Sequence, residues 1–493
     1  MKRTIIVSFL CLIFLFGCGT KNNLDVETQS KNLNQYTMEL QYNVDNTLLG
    51  NQTLTYINKT DTTLTKLCFH LYPKAFSEGA VNKPISVLNQ NKAYPNGFNP
   101  GDIVINLVKV NNADAKFDYC GTDNNVLNVY LGFALQPMDK VDVTIEYLVQ
   151  VPNVNHRFGY GNNTINLANF YPIVAVFENG EFVLDPYNSN GDPFYSDVAN
   201  YTVKITTPSN LVLASTGGQD NRINTEDIST YYLSAKAVRD FAIVLSEKFQ
   251  TLTKQVEDVI INYYYYDDNA SEVNLQAAAD ALITFNKLFG DYPYKTLSVV
   301  KTNFVHGGME YPNLVYVSDE VTGADYTNVI IHEIAHQWWY GVVGSNAFRE
   351  AWLDEGLTEY STALFYEENP GYGIDYNELV KTTTNSYVTF VDLYSEVLGN
   401  LDTSMTRHVN QYDTEPEYVY MTYVKGMLLF DNLRGVIGKN KLIQGLQHYY
   451  KTNAFKNVNH DYLIDSMEKA SRTELGNYFK TWLEGKVIIL SKP

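Results

Sequence analysis

The chain is 493 residues long, 45% hydrophobic and strongly acidic, with a formal net charge of −19. That length supports two or three domains, each able to bury a core of its own. The acidity, with no Lys/Arg cluster to offset it locally, excludes nucleic acid as a partner. Cysteines are limited to Cys11, Cys18, Cys68 and Cys120, too few for a disulfide scaffold.

Met1-Lys2-Arg3 is a basic head, and Thr4 to Gly17 is an apolar run too short to span a bilayer comfortably. Residues 1–17 therefore read as an export signal. The run ends Leu15-Phe16-Gly17-Cys18, which resembles the lipobox of bacterial lipoproteins, where the cysteine is lipidated and becomes the first mature residue. On that resemblance Cys18 anchors an exported protein to the outer face of a bacterial cell membrane. A plain cleaved signal with an incidental cysteine is the alternative. Residues 18–35 are polar, lack apolar periodicity and suit a flexible tether.

Residues 36–252 alternate apolar and polar side chains in short segments punctuated by Asn, Asp, Gly and Pro. Thr53–Ile57, Leu67–Leu71, Val141–Tyr147, Tyr201–Ile205 and Phe241–Leu245 read as strands, so this half is an all-β domain folded as a saddle or sandwich. Leu67, Phe69 and Leu71 share one face of their strand, which leaves Cys68 and His70 on the other, with His70 half-exposed. Cys68 and Cys120 can pair or remain separate thiols.

The period changes after Val273. Asn274–Phe289 has helical spacing and stops at Gly290, and Leu297–Val300 and Leu314–Val317 are strands on either side of Gly307-Gly308-Met309-Glu310. Then comes Val329-Ile-Ile-His-Glu-Ile-Ala-His336. Four residues on a helix advance about 400°, so His332 and His336 project from one face, one turn apart. Two imidazoles so placed supply half of a tetrahedral zinc shell, and Glu333, to the side, can reach an activated water without ligating the metal. A third ligand is available in Glu355, on a second helical stretch from Arg349 to Glu368 beyond the break at Gly341 and Gly344. His₂Glu is the donor set of an open, catalytic zinc site. A loop-rich segment holding His408 follows, then a helix from Met427 to Ile437 led in by Tyr423, and residues 438–493 read as a short segment of amphipathic helices.

These motifs resemble the aminopeptidase N family of gluzincin zinc metallopeptidases. The matches are His332-Glu333-x-x-His336, Glu355 at the family's 18-residue interval, Gly307-Gly308-Met309-Glu310 upstream and Tyr423-Val-Lys425-Gly426 downstream. The resemblance implies a thermolysin-like α+β catalytic domain, here residues 253–437, behind the β domain. It implies one Zn²⁺ per chain on His332, His336 and Glu355, with Glu333 as general base. It further implies that Tyr423 stabilises the oxyanion, that Gly307, Gly308 and Met309 border the substrate, and that Glu310 binds its free α-ammonium. The family's Gln-containing amine-binding motif has no clear match, and the corresponding region near Asn166 to Tyr171 offers Asn. The chain also ends before the large helical domain that many members carry, which suggests a more open site.

The expected reaction is hydrolysis of the first peptide bond of substrates with a free N-terminus. Two alternatives stay open. A gluzincin endopeptidase would use the same metal chemistry without needing the amine, and a non-catalytic surface lipoprotein would use the β domain to hold a partner.

Overall fold

The computed structural model describes residues 24–492, with the exception of residue 400. Residues 1–17, read from the sequence as an export signal, and Cys18 lie outside the described residues. The segment read as a tether carries regular structure before residue 35: Asp25 caps a short helix, Val26–Ser30, and Leu24, Val26 and Leu33 pack against the core.

The β half is built on an eight-stranded sheet. From one edge to the other it runs Gly218–Asn224, Ile228–Val238, Ala199–Pro208, Asn34–Tyr42, Thr47–Ile57, Lys140–Gln150, Asp102–Val110 and Ala113–Asp114. All neighbours are antiparallel except Asn34–Tyr42 against Ala199–Pro208. Strict alternation makes one face apolar: Tyr36, Met38, Leu40 and Tyr42 point inward from one strand, and Val141, Val143, Ile145, Tyr147 and Val149 from another. A smaller sheet of Ile173–Val174, Leu64–His70, Val126–Leu135 and Phe117–Cys120 lies over it. The layers are tied by Tyr36, whose hydroxyl accepts from the Val174 amide at 3.0 Å, and by Gln52, which donates to the Pro172 carbonyl at 2.8 Å.

His70 departs from its half-exposed expectation. It is buried, because Ala175, Phe182 and Val183 cover the face of the strand that alternation alone left open. Cys68 and Cys120 are both free. They sit on strands flanking Val126–Leu135, and each contacts the Asn128 amide in between, at 3.2 and 3.3 Å, so a disulfide would require the middle strand to move.

The second half hangs on a five-stranded sheet, Gln250–Val256, Val259–Tyr265, Thr296–Thr302, Leu314–Ser318 and Gly308–Met309. Helix α1, Ser271–Phe289, packs against it and against α2, Gly323–Ala335. The chain then turns back through Gly341, which sits so close to the Gln337 carbonyl that a larger residue would collide, and Asn346 caps α3, Ala347–Glu368. Helix α4, Tyr376–Leu398, falls in the segment expected to be loop. Helix α5, Lys425–Ile437, packs on α3, and three further helices, Lys439–Asn453, His460–Ser471 and Gly476–Leu483, complete the fold.

Candidate active site

The last turn of α2 carries His332, and His336 ends the helix. Their Nε2 atoms are 3.2 Å apart, and Glu355 Oε2 on α3 lies 3.2 Å from His336 Nε2 and 3.5 Å from His332 Nε2. Tetrahedral ligands at zinc's usual bond lengths of about 2.0–2.2 Å stand about 3.3–3.6 Å apart, so the donor triangle has the size of one face of a zinc shell. The other ring nitrogens are occupied. His336 Nδ1 faces the Trp339 carbonyl at 3.0 Å and the Thr358 hydroxyl at 3.1 Å, and His332 Nδ1 faces Glu359 Oε1 at 3.4 Å. Those partners hold each ring with Nε2 toward the triangle.

Charge in the site points the same way. Asp192, Glu310, Glu333, Asp354 and Glu355 are all buried around the two histidines. Burial, and then the neighbouring Asp192 carboxylate, push the Glu310 carboxyl up to about 8, and burial with Glu310 pushes Glu333 well above the usual range. Burial also works against the Glu355 charge, but His336 and His332 overcome it and keep that carboxyl well below the usual range. So many carboxylates in one dry wall call for a cation, and a divalent ion in the triangle fits the donors and the charge together.

Glu333 lies beside the triangle, buried, with Oε2 lacking any hydrogen-bond partner among the described residues. Its other oxygen leaves no room for a side chain at Gly308, so the glycine expected at the cleft edge is there to admit the carboxylate. Gly308–Met309 forms the edge strand, paired antiparallel with Leu314–Ser318. Alternation along it sends Gly308 and Glu310 to the cleft and Met309 the other way. Met309 is thus not on the substrate side as expected: its side chain is buried in the wall, where the Arg157 Nε–H meets its sulfur at 3.2 Å. Gly307, Gly308 and Glu310 do line the cleft.

Tyr423 sits in a single π-helical turn, Tyr420–Val424, that leads into α5. Its ring lies parallel to His332 with centroids 6.1 Å apart, and its hydroxyl donates to Glu355 Oε1 at 2.6 Å. The cleft, about 440 Å³, is closed on the far side by Tyr418 and by two residues that sequence reasoning missed, Arg157 and Asp192, both from the β domain. Asn166 and Asn169 do not reach it. Asn166 donates to the His156 and Asn303 carbonyls, and Asn169 bridges Asp240 and Tyr311, so both hold the domains together. Arg157 and Asp192 form a buried ion pair, with the guanidinium also over the Phe194 ring. No local pattern could have flagged them, since each is an isolated loop residue.

Residues 273–482 match the peptidase family M1 domain model. Aminopeptidase N of Streptomyces lividans is 26% identical over 218 residues, 41% of this chain and 24% of the relative. Leukotriene A-4 hydrolase of Xenopus laevis is 28% identical over 170 residues, 33% of this chain and 27% of the relative. The chain thus spans about a quarter of the length of these curated relatives. In fold, it resembles the M1 zinc metallopeptidase of Deinococcus radiodurans, with a TM-score of 0.67 at 18% identity over 96% of this chain and 97% of that one. A point mutant of that enzyme, with a glutamate replaced by alanine and a Tyr-Ser-Ala substrate bound, gives a TM-score of 0.64 at 16% identity, over 93% and 95% of the two chains. The matched segment contains α2, α3 and the turn before α5, which carry the donor triangle, Glu333 and Tyr423, so the part of the chain that is similar to the peptidase family M1 domain is the part that builds the site.

Proposed function

We propose that this chain is a zinc-dependent aminopeptidase that removes residues from the free N-terminus of peptides. One observation carries the reading. The cleft combines the His332–His336–Glu355 triangle and the adjoining Glu333 with a buried carboxylate, Glu310, that no lysine or arginine pairs with among the described residues.

Zinc bound in the triangle supplies Lewis acidity, lowering the pKa of a water and polarising a carbonyl. Glu333 accepts the proton of the attacking water at its free oxygen and returns it to the leaving amine. Glu310 binds the substrate's α-ammonium, which sets the first peptide bond over the triangle and leaves blocked peptides without their anchor. The Tyr423 hydroxyl, on the cleft wall, turns its hydrogen from Glu355 to the carbonyl oxygen as negative charge gathers there. The aminopeptidase relatives, and the tripeptide held by the Deinococcus mutant, support peptides as the substrate class. Location is proposed from the sequence alone: export by residues 1–17 and a lipid on Cys18 that holds the enzyme at the outer face of a bacterial membrane. Labelled fatty acid should enter the wild-type chain and not the Cys18→Ala chain.

The activity is tested with fluorogenic aminoacyl amides, each free and N-acetylated, on the zinc-loaded protein. Free substrates are cleaved and acetylated ones are not, Glu333→Gln abolishes turnover while retaining zinc, and Glu310→Ala raises KM. Cleavage of acetylated or internal bonds would make the same site an endopeptidase. Zinc binding without turnover of any peptide would leave a surface-binding lipoprotein.

A further inference from the structure

A peptide held by its amine at Glu310, with its first peptide bond over the donor triangle, leaves the cleft toward Gly307. The edge strand fixes that direction. Glu310 has a carboxylate oxygen within 4.8 Å of ligand atoms of Glu333 and His336, at the end of α2. A methyl on Gly307 would instead lie 3.7 Å from the Val329 side chain, three residues before His332. The leaving residues therefore pass Asn328 and Val329 and reach Glu359 and Glu415 at the rim. No lysine or arginine of the described residues balances those two carboxylates inside the cleft. Arg157 is the one such residue in its lining, and Asp192 neutralises it. His306, at the same end of the edge strand, stays uncharged, because burial and then Arg157 lower its pKa to about 3.

We infer that Glu359 and Glu415 select the leaving peptide by charge, favouring lysine or arginine directly after the scissile bond and disfavouring aspartate or glutamate there. The inference rests on the aminopeptidase reading and deepens it. Each carboxylate is fixed by one oxygen and offers the other. Glu359 follows Glu355 by one turn of α3 and directs Oε1 to His332 Nδ1 at 3.4 Å. Its Oε2 accepts no hydrogen bond from the described residues, and 34% of the side chain is exposed. Glu415 begins the short helix Glu415–Val419 and is half-buried. Its Oε2 accepts from Asn89 Nδ2 at 3.0 Å and from Ser86 Oγ at 3.4 Å, both in the β half, and its Oε1 accepts no hydrogen bond from the described residues. An ammonium or guanidinium on a long, flexible side chain reaches such an oxygen while keeping much of its own hydration. An acidic side chain in the same place meets two charges of its own sign.

The test uses the whole zinc-loaded protein on three peptide amides, Leu-Lys-Ser-Ala, Leu-Gln-Ser-Ala and Leu-Glu-Ser-Ala, with freed leucine measured by chromatography. All three share the anchored residue, so only the charge after the scissile bond varies. Values of kcat/KM should rank Lys above Gln above Glu, with about a tenfold span from first to last. One part-exposed ion pair changes a rate about threefold, and reversing the charge counts it twice. Glu359→Gln and Glu415→Gln should each shrink the span, and the double variant should bring it within twofold. Loss of zinc or of packing lowers all three rates together, so the span separates charge selection from a structural role. Raising salt from about 50 to about 500 mM should also compress the wild-type span. A wild-type span below twofold, or a double variant that keeps the wild-type span, would overturn the inference. If the variants do not fold, the wild-type salt series decides, and a span that salt leaves unchanged refutes it. Failure to free leucine from any of the peptides would overturn the aminopeptidase reading as well. Equal release from all three would overturn only the charge selection.

Discussion

Helices α3 and α5 touch at two glycines, and the contact sets the spacing between Glu355 and Tyr423. A methyl at Gly426 would lie 2.5 Å from the Gly356 Cα, and one at Gly356 would lie 2.6 Å from the Gly426 Cα. Carbon atoms need about 3.5–4.0 Å, so Gly426→Ala must push the helices apart by about 1 Å. Gly356 adjoins Glu355 of the donor triangle, and Gly426 follows Tyr423 by less than a turn. The wedge therefore opens at the 2.6 Å bond between Tyr423 and Glu355 and lengthens it beyond hydrogen-bonding range. Overpacking of this kind costs about 1–3 kcal/mol in stability, and a displacement of about 1 Å in a reacting geometry costs about a hundredfold in rate. Calorimetric Tm and kcat/KM on an aminoacyl amide should both fall. Gly435→Ala is the control, because this exposed glycine of the same helix has nothing within 4 Å of an added methyl. There the exchange should stabilise by up to about 1 kcal/mol and leave kcat alone. Gly426→Ala protein with wild-type Tm and wild-type kcat would refute the argument that this glycine pair sets the spacing.

Tyr423→Phe should lower kcat about a hundred- to a thousandfold with zinc retained, the loss seen for a comparable oxyanion donor, and unchanged kcat would remove the hydroxyl from the mechanism. Glu359→Gln should weaken zinc binding about ten- to a hundredfold in chelator competition, since the carboxylate 3.4 Å from His332 Nδ1 orients that ring; equal affinity would make it a bystander. Burial lowers the His70 pKa to about 4 from an ordinary 6.5. Between those values the unfolded chain takes up a proton that the folded chain refuses. Stability from this group is therefore full above pH 6.5 and falls by about 1.4 kcal/mol per unit toward pH 4. Urea unfolding from pH 6.5 to 4.5 should show that slope reduced in His70→Gln, and an unaltered slope would locate the acid sensitivity elsewhere.

How much of this was legible depends on the range of the interactions. The histidine pair needed only helix geometry over four residues, and the strands of the β half needed only alternation, so both could be read directly. Helix α4 was missed because Thr382, Thr383, Thr384, Asn385 and Ser386 have modest helix propensity and mask the buried series Tyr376, Val380, Thr384 and Tyr387. The Asp375 cap, whose side chain accepts from the Glu378 amide, was the available signal. His70 was misjudged because strand periodicity says which residues share a face and not whether a second layer covers it. Met309 was assigned to substrate by motif, whereas the pleat of its edge strand turns it into the wall.

The sequence by itself determined the placement of the candidate zinc ligands: a helix sets His332, Glu333 and His336 through local backbone geometry that no tertiary contact needs to create. Only the tertiary structure decided what surrounds them. Glu355 reaches the pair through the packing of α2 on α3, Tyr423 is aimed by the Gly356–Gly426 contact, and Asp192 enters from a loop of another domain. Such positions depend on how apolar faces bury one another across long stretches of chain, and that information is carried by the whole core rather than by any segment of it.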